Sequence, residues 1–504
     1  MAGPKSNKRK RSPQANVQSN KNIKQTSDSL PSPPSSDTNE PKSLNTIISE
    51  EEIEITVDTL LTLSSHPNII KSKPCKNLRA AVFDFRQACT TGVNTRGDAN
   101  LTAKVSAAIA DGKYADALVV LAEMRIRNES PKLGALCRWI RDLDVISGVS
   151  LHEDSKANPE ATRRNDNLER IRVVDSILRV TGPTDLNFER SELVSPGPIV
   201  QKETWNLRDS NEAHLPVRQS VLDGSIFTAA ASKESYLKRF QILETTPGLQ
   251  RKPPNLHDAV LYLTSDNAIP LSLTAPTTTH HAHPQVPHLS LIRNVLHPSE
   301  CTSLVAACEA IGFLPDSPIT DDGPDASILA HNVYWVIDQA LHDSLWSRVA
   351  PFVPSQMGGR KVHGLNRRFR VYRYVPGASY RAHIDGAWPP SGTLPDPTSS
   401  STTKPKYIYD ASPSNRKQSS LFTFLIYLND EFTGGETTFF MPSVREGVLN
   451  AYPVKPVMGS VALFPHGEMG VKEGPLLHEG TGVREGAKYV VRTEVEYDVE
   501  AWLE

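Results

Sequence analysis

The sequence is poor in cysteine and has no long hydrophobic run, and these two shortages limit the class of protein. Its five cysteines are Cys75, Cys89, Cys137, Cys301 and Cys308. They form no CxxC pair and are too sparse for a disulfide framework in 504 residues, so we expect a reducing compartment. The chain has no run of 18 apolar residues and no apolar signal segment, which predicts neither a membrane span nor secretion.

Acidic residues are missing before Asp28, whereas seven lysines or arginines precede it. Residues 1–45 are rich in Ser, Pro, Asn and Lys and have no aromatic residue. Such a segment buries too little apolar surface to offset its ordering entropy, so we expect a disordered basic tail. The cluster Lys8-Arg-Lys-Arg11 is either a nuclear import signal or an ordinary solvated tail. We therefore predict a nuclear or cytoplasmic protein.

Helical periodicity predicts an α-helical domain over residues 46–145. Residues 100–128 form the pattern of two amphipathic helices joined at Asp111-Gly112, where Gly suits the left-handed position after a helix. This hairpin resembles a single pentatricopeptide-type repeat, a family that binds RNA with one base per repeat. No second copy occurs, and repeat folds need about three units, so an ordinary helical hairpin is favoured.

Residues 146–287 are predicted to be a linker and a poorly defined region. Within it, Ser232–Gln241 has a helical pattern and Ala259–Thr264 has a strand pattern. The Pro/Thr-rich segment 275–284 is a linker by composition and contains His280, His281 and His283. A flexible loop holds no fixed ligand geometry, so we do not expect a metal site there.

Residues 288–500 are rich in strand patterns after one helix, Pro298–Phe313, whose apolar stripe includes two cysteines as core residues. Short strands between Gly/Pro turns predict a β-sandwich or jelly roll, within an α+β multidomain chain. The predicted strands are Phe369–Tyr374, Tyr380–Asp385, Leu421–Leu428, Thr437–Met441, Gly459–Phe464 and Lys488–Tyr497. A polar insert over residues 386–420 predicts a mobile loop beside the site.

The strand that ends in His383-Ile-Asp385 predicts a metal site. Side chains two residues apart on a strand share a face, so His383 and Asp385 can bind one ion. An imidazole and a carboxylate are two of the three ligands in the facial triad of non-haem Fe(II). The histidines that follow are His466 and His478. His478 is the preferred third ligand, because it lies between apolar residues and a long regular strand and a ligand needs a rigid mount.

A keto-acid co-substrate at such a metal needs a cation at its far carboxylate. Lys488 lies ten residues past His478 and begins a predicted strand. It flanks an apolar run, which favours an inward side chain.

Several motifs occur in a fixed order over the C-terminal part of the chain. They are Leu296-His-Pro-Ser-Glu-Cys301, Tyr374-x-x-Gly377-x-x-Tyr380-x-x-His383-x-Asp385, Ile426-Tyr-Leu-Asn429, Gly434-Gly-Glu-Thr437, Gly459-Ser-Val-Ala-Leu-Phe464, His478-x-Gly480 and Gly486-x-Lys488. By these motifs residues 288–497 resemble the catalytic domain of the prolyl 4-hydroxylase family of 2-oxoglutarate- and Fe(II)-dependent dioxygenases. The resemblance implies a double-stranded β-helix, Fe(II), 2-oxoglutarate, dioxygen and ascorbate.

The resemblance also implies roles for individual residues. His383, Asp385 and His478 correspond to the metal ligands and catalytic residues, and Lys488 corresponds to the 2-oxoglutarate anchor. Tyr374 and Tyr427 correspond to tyrosines that help to hold the same co-substrate. Gly434 and Gly435 are expected to make a tight turn rather than to touch a ligand.

Arg492 departs from the family pattern, which usually has a small polar residue at this position. It shares a strand face with Lys488. Arg492 could share the 2-oxoglutarate carboxylate, meet an acidic substrate, or pair with Glu494 or Glu496.

These features predict a dioxygenase that hydroxylates a protein side chain and produces succinate and CO2. The same cofactors could serve a demethylase that acts on a modified nucleic-acid base or side chain. The catalytic half shows no Lys/Arg stripe that would bind a nucleic-acid strand, which favours a protein substrate. A further alternative is an inactive scaffold whose N-terminal half recruits a nuclear protein or RNA. The presence of every expected ligand argues against it.

Overall fold

The computed structural model describes most of the chain. The described residues are 49–91, 100–147, 165–186, 197–211, 213–228, 231–319, 330–394, 405–466 and 474–501. The predicted basic tail over residues 1–45 lies outside them. No helix in these ranges is both long and apolar enough to cross a membrane. The chain forms two compact units, Met1–Ala81 and Val82–Glu504.

The described residues form eleven α-helices. They are α1 (Glu50–Ser64), α2 (Pro67–Ile70), α3 (Lys76–Thr91), α4 (Leu101–Ala110), α5 (Tyr114–Arg127), α6 (Leu133–Asp142), α7 (Asn165–Thr181), α8 (Val217–Leu222), α9 (Lys233–Leu237), α10 (Pro298–Ile311) and α11 (Gln339–Val349). The predicted hairpin is confirmed as α4 and α5, and Gly112 between them has a φ of 69°. Gly112 thus takes the left-handed conformation that the sequence predicts.

The same residues form 21 β-strands. They are β1 (Ile199–Gln201), β2 (Phe240–Thr246), β3 (Ala259–Thr264), β4 (Thr279–Ala282), β5 (Ser290–Arg293), β6 (Leu314–Asp316), β7 (Ala330–Val336), β8 (Gln356–Met357), β9 (Arg360–Leu365), β10 (Arg368–Tyr374), β11 (Tyr380–His383), β12 (Gly392–Leu394), β13 (Lys406–Ile408), β14 (Gln418–Tyr427), β15 (Thr433–Gly434), β16 (Thr437–Pro442), β17 (Leu449–Val454), β18 (Val461–Pro465), β19 (Leu477–Gly480), β20 (Val483–Glu485) and β21 (Lys488–Asp498).

Two large sheets organise the second unit. The larger sheet has the order β2-β3-β7-β10-β21-β14-β18-β5-β4, with β6 beside β7 and the β8–β9 pair beside β21. The smaller sheet has the order β1-β17-β16-β19-β11. The pairs β1–β17 and β3–β7 are parallel, and the other described pairs within these sheets are antiparallel. The α+β content is confirmed, and the two sheets are consistent with the predicted jelly roll.

The sheets pack against each other through large aromatic side chains. Phe439 of the smaller sheet meets Phe464 of the larger one edge to face, with ring centroids 5.0 Å apart. Helices α10 and α11 pack on the opposite face of the larger sheet. Cys301 and Cys308 of α10 are fully buried there. The two cysteines are therefore core residues, as predicted.

The outer face of the smaller sheet packs on helices α4 to α7. Phe440 and Leu477 from the strands, and Ile384 directly after β11, share one apolar core with Leu121 and Trp139 from the helices. We call α4 to α7, with the loop up to residue 147, the helical layer. The predicted domain limits at 46–145, 146–287 and 288–500 stay predictions, because a shared core does not decide where one domain ends.

Two local predictions within residues 146–287 are wrong. The predicted helix Ser232–Gln241 ends at Leu237, and β2 begins at Phe240 because its backbone pairs with the neighbouring strand β3. The predicted linker 275–284 contains β4, which pairs with β5. Pairing with a distant strand is decided by the fold rather than by local composition.

Candidate metal and co-substrate site

Two neighbouring strands bring the predicted metal ligands together. His383 at the end of β11 lies directly opposite His478 on β19 in the antiparallel register. Their rings have centroids 4.3 Å apart. Asp385 follows β11 by two residues, so its side chain returns to the face of His383. The fold thus places the three predicted ligands on one face of the smaller sheet.

The three side chains converge on one point. Asp385 Oδ1 lies 3.3 Å from His383 Nε2, and Asp385 Oδ2 lies 3.6 Å from His478 Nε2. One ligand atom from each residue lies within 4.8 Å of the other two, and no other such group of three is found in the described ranges. His280, His281 and His283 therefore form no metal cluster there. Two imidazoles and one carboxylate are the donor set of a facial Fe(II) triad.

Backbone hydrogen bonds orient both imidazoles. His383 Nδ1 lies 2.8 Å from the Arg381 carbonyl oxygen, and His478 Nδ1 lies 3.1 Å from the Leu476 carbonyl oxygen. A carbonyl accepts, so each Nδ1 carries the proton and each Nε2 presents its lone pair toward Asp385. The two rings are therefore in the tautomer that binds a metal through Nε2.

The protonation states also suit a cation. Burial lowers the pKa of His478 to about 3, which keeps its imidazole neutral. Burial alone would raise the pKa of Asp385, but the Arg492 guanidinium, with Nη2 2.9 Å from Asp385 Oδ1, brings it well below its ordinary value. The three ligands are thus His383, the neutral imidazole of His478 and the carboxylate of Asp385. This set fits Fe(II).

A buried hydroxyl and a third histidine hold the carboxylate in place. Thr423 Oγ1 donates to Asp385 Oδ2 at 2.6 Å and lies 2.9 Å from His466 Nδ1. Because that hydroxyl gives its proton to Asp385, His466 Nδ1 must donate to it, and His466 Nε2 accepts from Ser420 Oγ at 2.7 Å. Both ring nitrogens of His466 are occupied, so this histidine lies outside the metal cluster.

Lys488 lies in the same cavity as the three candidate metal ligands. Its side chain is buried, with 3% of the residue exposed, and its Nζ donates to the Gly435 carbonyl oxygen at 2.8 Å. Gly434 and Gly435 have φ angles of 72° and 69°, so the predicted tight turn is present. Burial lowers the pKa of Lys488 to about 7. The cavity thus holds a buried ammonium group whose charged form is costly without an anion.

The C-terminal region matches a known family over these same residues. Residues 369–493 match the model of the 2OG-Fe(II) oxygenase superfamily, and this span includes the three clustered ligands and Lys488. Residues 369–493 form a 2OG-Fe(II) oxygenase domain. The enzyme class that this domain indicates is that of the Fe(II)- and 2-oxoglutarate-dependent dioxygenases.

Several solved structures are similar to part of the chain. A viral collagen prolyl hydroxylase from Paramecium bursaria Chlorella virus-1 has 17% identity over 42% of this chain and 97% of its own, with a TM-score of 0.26. A Pseudomonas putida prolyl-4-hydroxylase has 16% identity over 42% and 91%, with a TM-score of 0.25.

A Trichoplax adhaerens prolyl hydroxylase, solved with a hypoxia inducible factor peptide fragment, has 16% identity over 41% and 83%, with a TM-score of 0.26. No curated protein matches the chain.

The predicted tyrosines of the oxygenase domain lie around Lys488. Lys488 Nζ is 5.8 Å from the ring centroid of Tyr374 and 5.6 Å from that of Tyr427. Tyr374 lines the cavity, whereas the hydroxyl of Tyr427 lies 2.9 Å from Thr437 Oγ1, a lining residue. Both tyrosines are therefore placed to shape the end of the cavity that holds the ammonium group.

Arg492 of the oxygenase domain pairs with two carboxylates. Its Nη2 lies 2.9 Å from Asp385 Oδ1 and 3.2 Å from Glu494 Oε1. Of the alternatives that the sequence left open, pairing with Glu494 is observed. The contact with Asp385 was not predicted, because it joins strands whose pairing is not local.

Thr423 and His466 are further site residues that sequence reasoning missed or set aside. Thr423, Leu425 and Tyr427 alternate onto one face of β14, so the family tyrosine could have indicated Thr423.

The cavity contains about 470 Å³ of empty space including its open mouth. Its walls include three phenol rings, those of Tyr372, Tyr374 and Tyr380.

Proposed function

We propose that His383, Asp385 and His478 bind Fe(II) and that Lys488 binds the distal carboxylate of 2-oxoglutarate. The chain is then a dioxygenase that hydroxylates a protein side chain, in the manner of the prolyl hydroxylases. One observation carries this proposal: three metal-binding atoms and a buried ammonium group share a single cavity. When bound, Fe(II) and 2-oxoglutarate supply the oxidising chemistry, in which dioxygen gives succinate, CO2 and a hydroxylated product.

The residues around the metal ligands would fix their geometry before the metal arrives. The Arg381 and Leu476 carbonyls hold the two imidazole rings, and Thr423 holds Asp385 Oδ2. Preorganised ligands need little reordering when a cation binds. The contact between Asp385 Oδ1 and the Arg492 guanidinium keeps the carboxylate charged and fixes its orientation.

Lys488 would set the position of the co-substrate. Among the described residues no carboxylate forms an ion pair with Lys488 Nζ, and its hydrogen bond goes to the neutral Gly435 carbonyl. A buried charge without a counter-ion is costly, and a dicarboxylate would supply that counter-ion. The pair would form away from water, where charge-assisted hydrogen bonds are strong.

The proposed substrate is an exposed proline of a nuclear or cytoplasmic protein. The motif resemblance supports this class, and the tyrosine walls suit a compact apolar ring. Tyr372 and Tyr380 contact each other edge to face, with centroids 6.3 Å apart, and give the cavity a rigid wall. Ascorbate is proposed as the reductant that keeps the iron in the ferrous state.

The proposal is tested by succinate formation in the presence of Fe(II), 2-oxoglutarate and dioxygen. We expect the wild type to form succinate and His383→Ala to form none. Proteins captured by the His383→Ala variant are then treated with the wild-type enzyme and analysed by mass spectrometry. A gain of one oxygen atom supports hydroxylation, and loss of a methyl group supports a demethylase instead. Equal succinate formation by both proteins contradicts the assigned ligands.

A further inference from the structure

No described strand pairs with one edge of β11, the strand that carries His383, and the helical layer covers this free edge. β11 is the last strand of the smaller sheet and pairs on its other side with β19. On the free edge, the Ala382 N–H donates to Ser147 Oγ at 2.7 Å. The Ile384 carbonyl accepts from the Cys137 thiol, with Sγ 3.4 Å from the oxygen. Both backbone groups next to His383 are therefore bonded to residues far earlier in the chain.

The same strand is also held from behind. Side chains alternate along a strand, so Ala382 and Ile384 point away from the face of His383 and Asp385. Ala382 is 1% exposed and Ile384 is 4% exposed, and both lie in the apolar core of the helical layer with Trp139. The metal-ligand strand therefore has the cavity on one face and the helical layer on the other.

Ser147 and Cys137 are themselves held in defined states. Ser147 Oγ donates to Asp144 Oδ2 at 2.7 Å, and the Ser147 N–H donates to Asp144 Oδ1 at 3.2 Å. Because the Ser147 hydroxyl donates its proton to Asp144, an oxygen lone pair remains to accept from the Ala382 N–H. Burial raises the pKa of the Cys137 thiol to about 11, so it keeps the proton that it donates.

Charged contacts attach the helical layer to other strands of the smaller sheet. Arg179 Nη2 on α7 donates to the Ser443 carbonyl at 2.6 Å, and Asp175 Oδ2 accepts from the Gly447 N–H at 2.8 Å. These contacts lie at the end of the β16–β17 hairpin. The layer is therefore fixed relative to the sheet and can hold β11 in place.

We propose that Ser147 and Cys137 are positioning residues for the metal site, through which the helical layer holds β11 and its ligand His383. This inference rests on the proposed function. Without these bonds the free edge of β11 would fluctuate, and metal binding would have to order it at a cost in affinity. One lost hydrogen bond corresponds to a change of about fivefold in a binding constant.

The test measures Co(II) affinity by visible absorption and amide exchange at Ala382 by mass spectrometry, on the full chain. The variants are Ser147→Ala and Cys137→Ala. Ser106→Ala is the matched control, because Ser106 Oγ accepts from Trp139 Nε1 at 2.8 Å within the same layer and leaves β11 untouched. Ser147→Thr restores the hydroxyl, and thermal unfolding checks that every variant is folded.

We expect Ser147→Ala to bind Co(II) about fivefold more weakly and to exchange the Ala382 amide faster, with wild-type values for Ser106→Ala and recovery in Ser147→Thr. Cys137→Ala should show a smaller effect in the same direction, because sulfur is a weak donor. Wild-type affinity in both Ser147→Ala and Cys137→Ala overturns the inference, as does an equal loss in Ser106→Ala. If His383→Ala also binds Co(II) normally, the proposed function fails instead.

Discussion

The buried Lys488 predicts an unusual pH dependence for 2-oxoglutarate binding. Burial lowers the pKa of its ammonium group to about 7 in the ligand-free protein, and a bound carboxylate would raise that pKa again. Binding requires the protonated form, so affinity is constant below pH 7 and falls as the pH rises above it. Above pH 7 each binding event must take up a proton from the solvent.

The size of the effect follows from this pKa. With a pKa of about 7, roughly three quarters of Lys488 is protonated at pH 6.5 and about 3% at pH 8.5, so the dissociation constant should rise about 25-fold between these pH values. Lys488→Met removes the charge altogether. It should weaken binding by at least about 100-fold, because breaking a buried ion pair costs about 3 kcal/mol or more.

Isothermal titration calorimetry of the Mn(II)-loaded protein with 2-oxoglutarate measures both quantities. Repeating the titration at pH 8.5 in buffers of different ionisation enthalpy counts the protons taken up, and we expect about one. Lys488→Arg is the control, since a guanidinium stays charged over this range and its pH dependence should be flat. A pH-independent wild type, or the same slope in Lys488→Arg, would refute the assignment of Lys488.

Three further substitutions test contacts that support the site and the fold around it. Thr423→Val removes the hydroxyl that donates to Asp385 and should weaken Co(II) binding about tenfold, whereas Thr423→Ser should not. His466→Ala should lower the free energy of unfolding by about 2 kcal/mol in urea yet still bind one metal per chain; loss of the metal would make His466 a ligand. Gly459→Ala should lower the free energy of unfolding by about 2 kcal/mol or more. Gly459 has a φ of 75°, and an added Cβ would lie 2.3 Å from the Leu296 carbonyl oxygen. A decrease below about 0.5 kcal/mol would contradict this.

Local spacing and the family resemblance together predicted the centre of the site. Period-two alternation put His383 and Asp385 on one strand face, and the motif order supported His478 as the third ligand and Lys488 as the anchor. The tight turn at Gly434 was also readable, because glycine tolerates positive φ. These predictions needed no knowledge of which strands are neighbours.

The supporting contacts could not be predicted in this way. Thr423 meets Asp385 across 38 residues of sequence, and Ser147 meets Ala382 across 235 residues. Helical periodicity predicted α4 and α5 but not that their layer packs on the smaller sheet behind Ile384. Such pairings depend on sheet order and layer packing, which short-range patterns do not encode.

An anaerobic titration of the protein with Fe(II) in the presence of 2-oxoglutarate tests the central claim most directly. The wild type should take up one Fe(II) per chain and develop a visible absorption band that requires 2-oxoglutarate. Asp385→Ala and His478→Ala should not develop it, while His466→Ala should keep it. No band in the wild type, or an undiminished band in Asp385→Ala, would contradict the account.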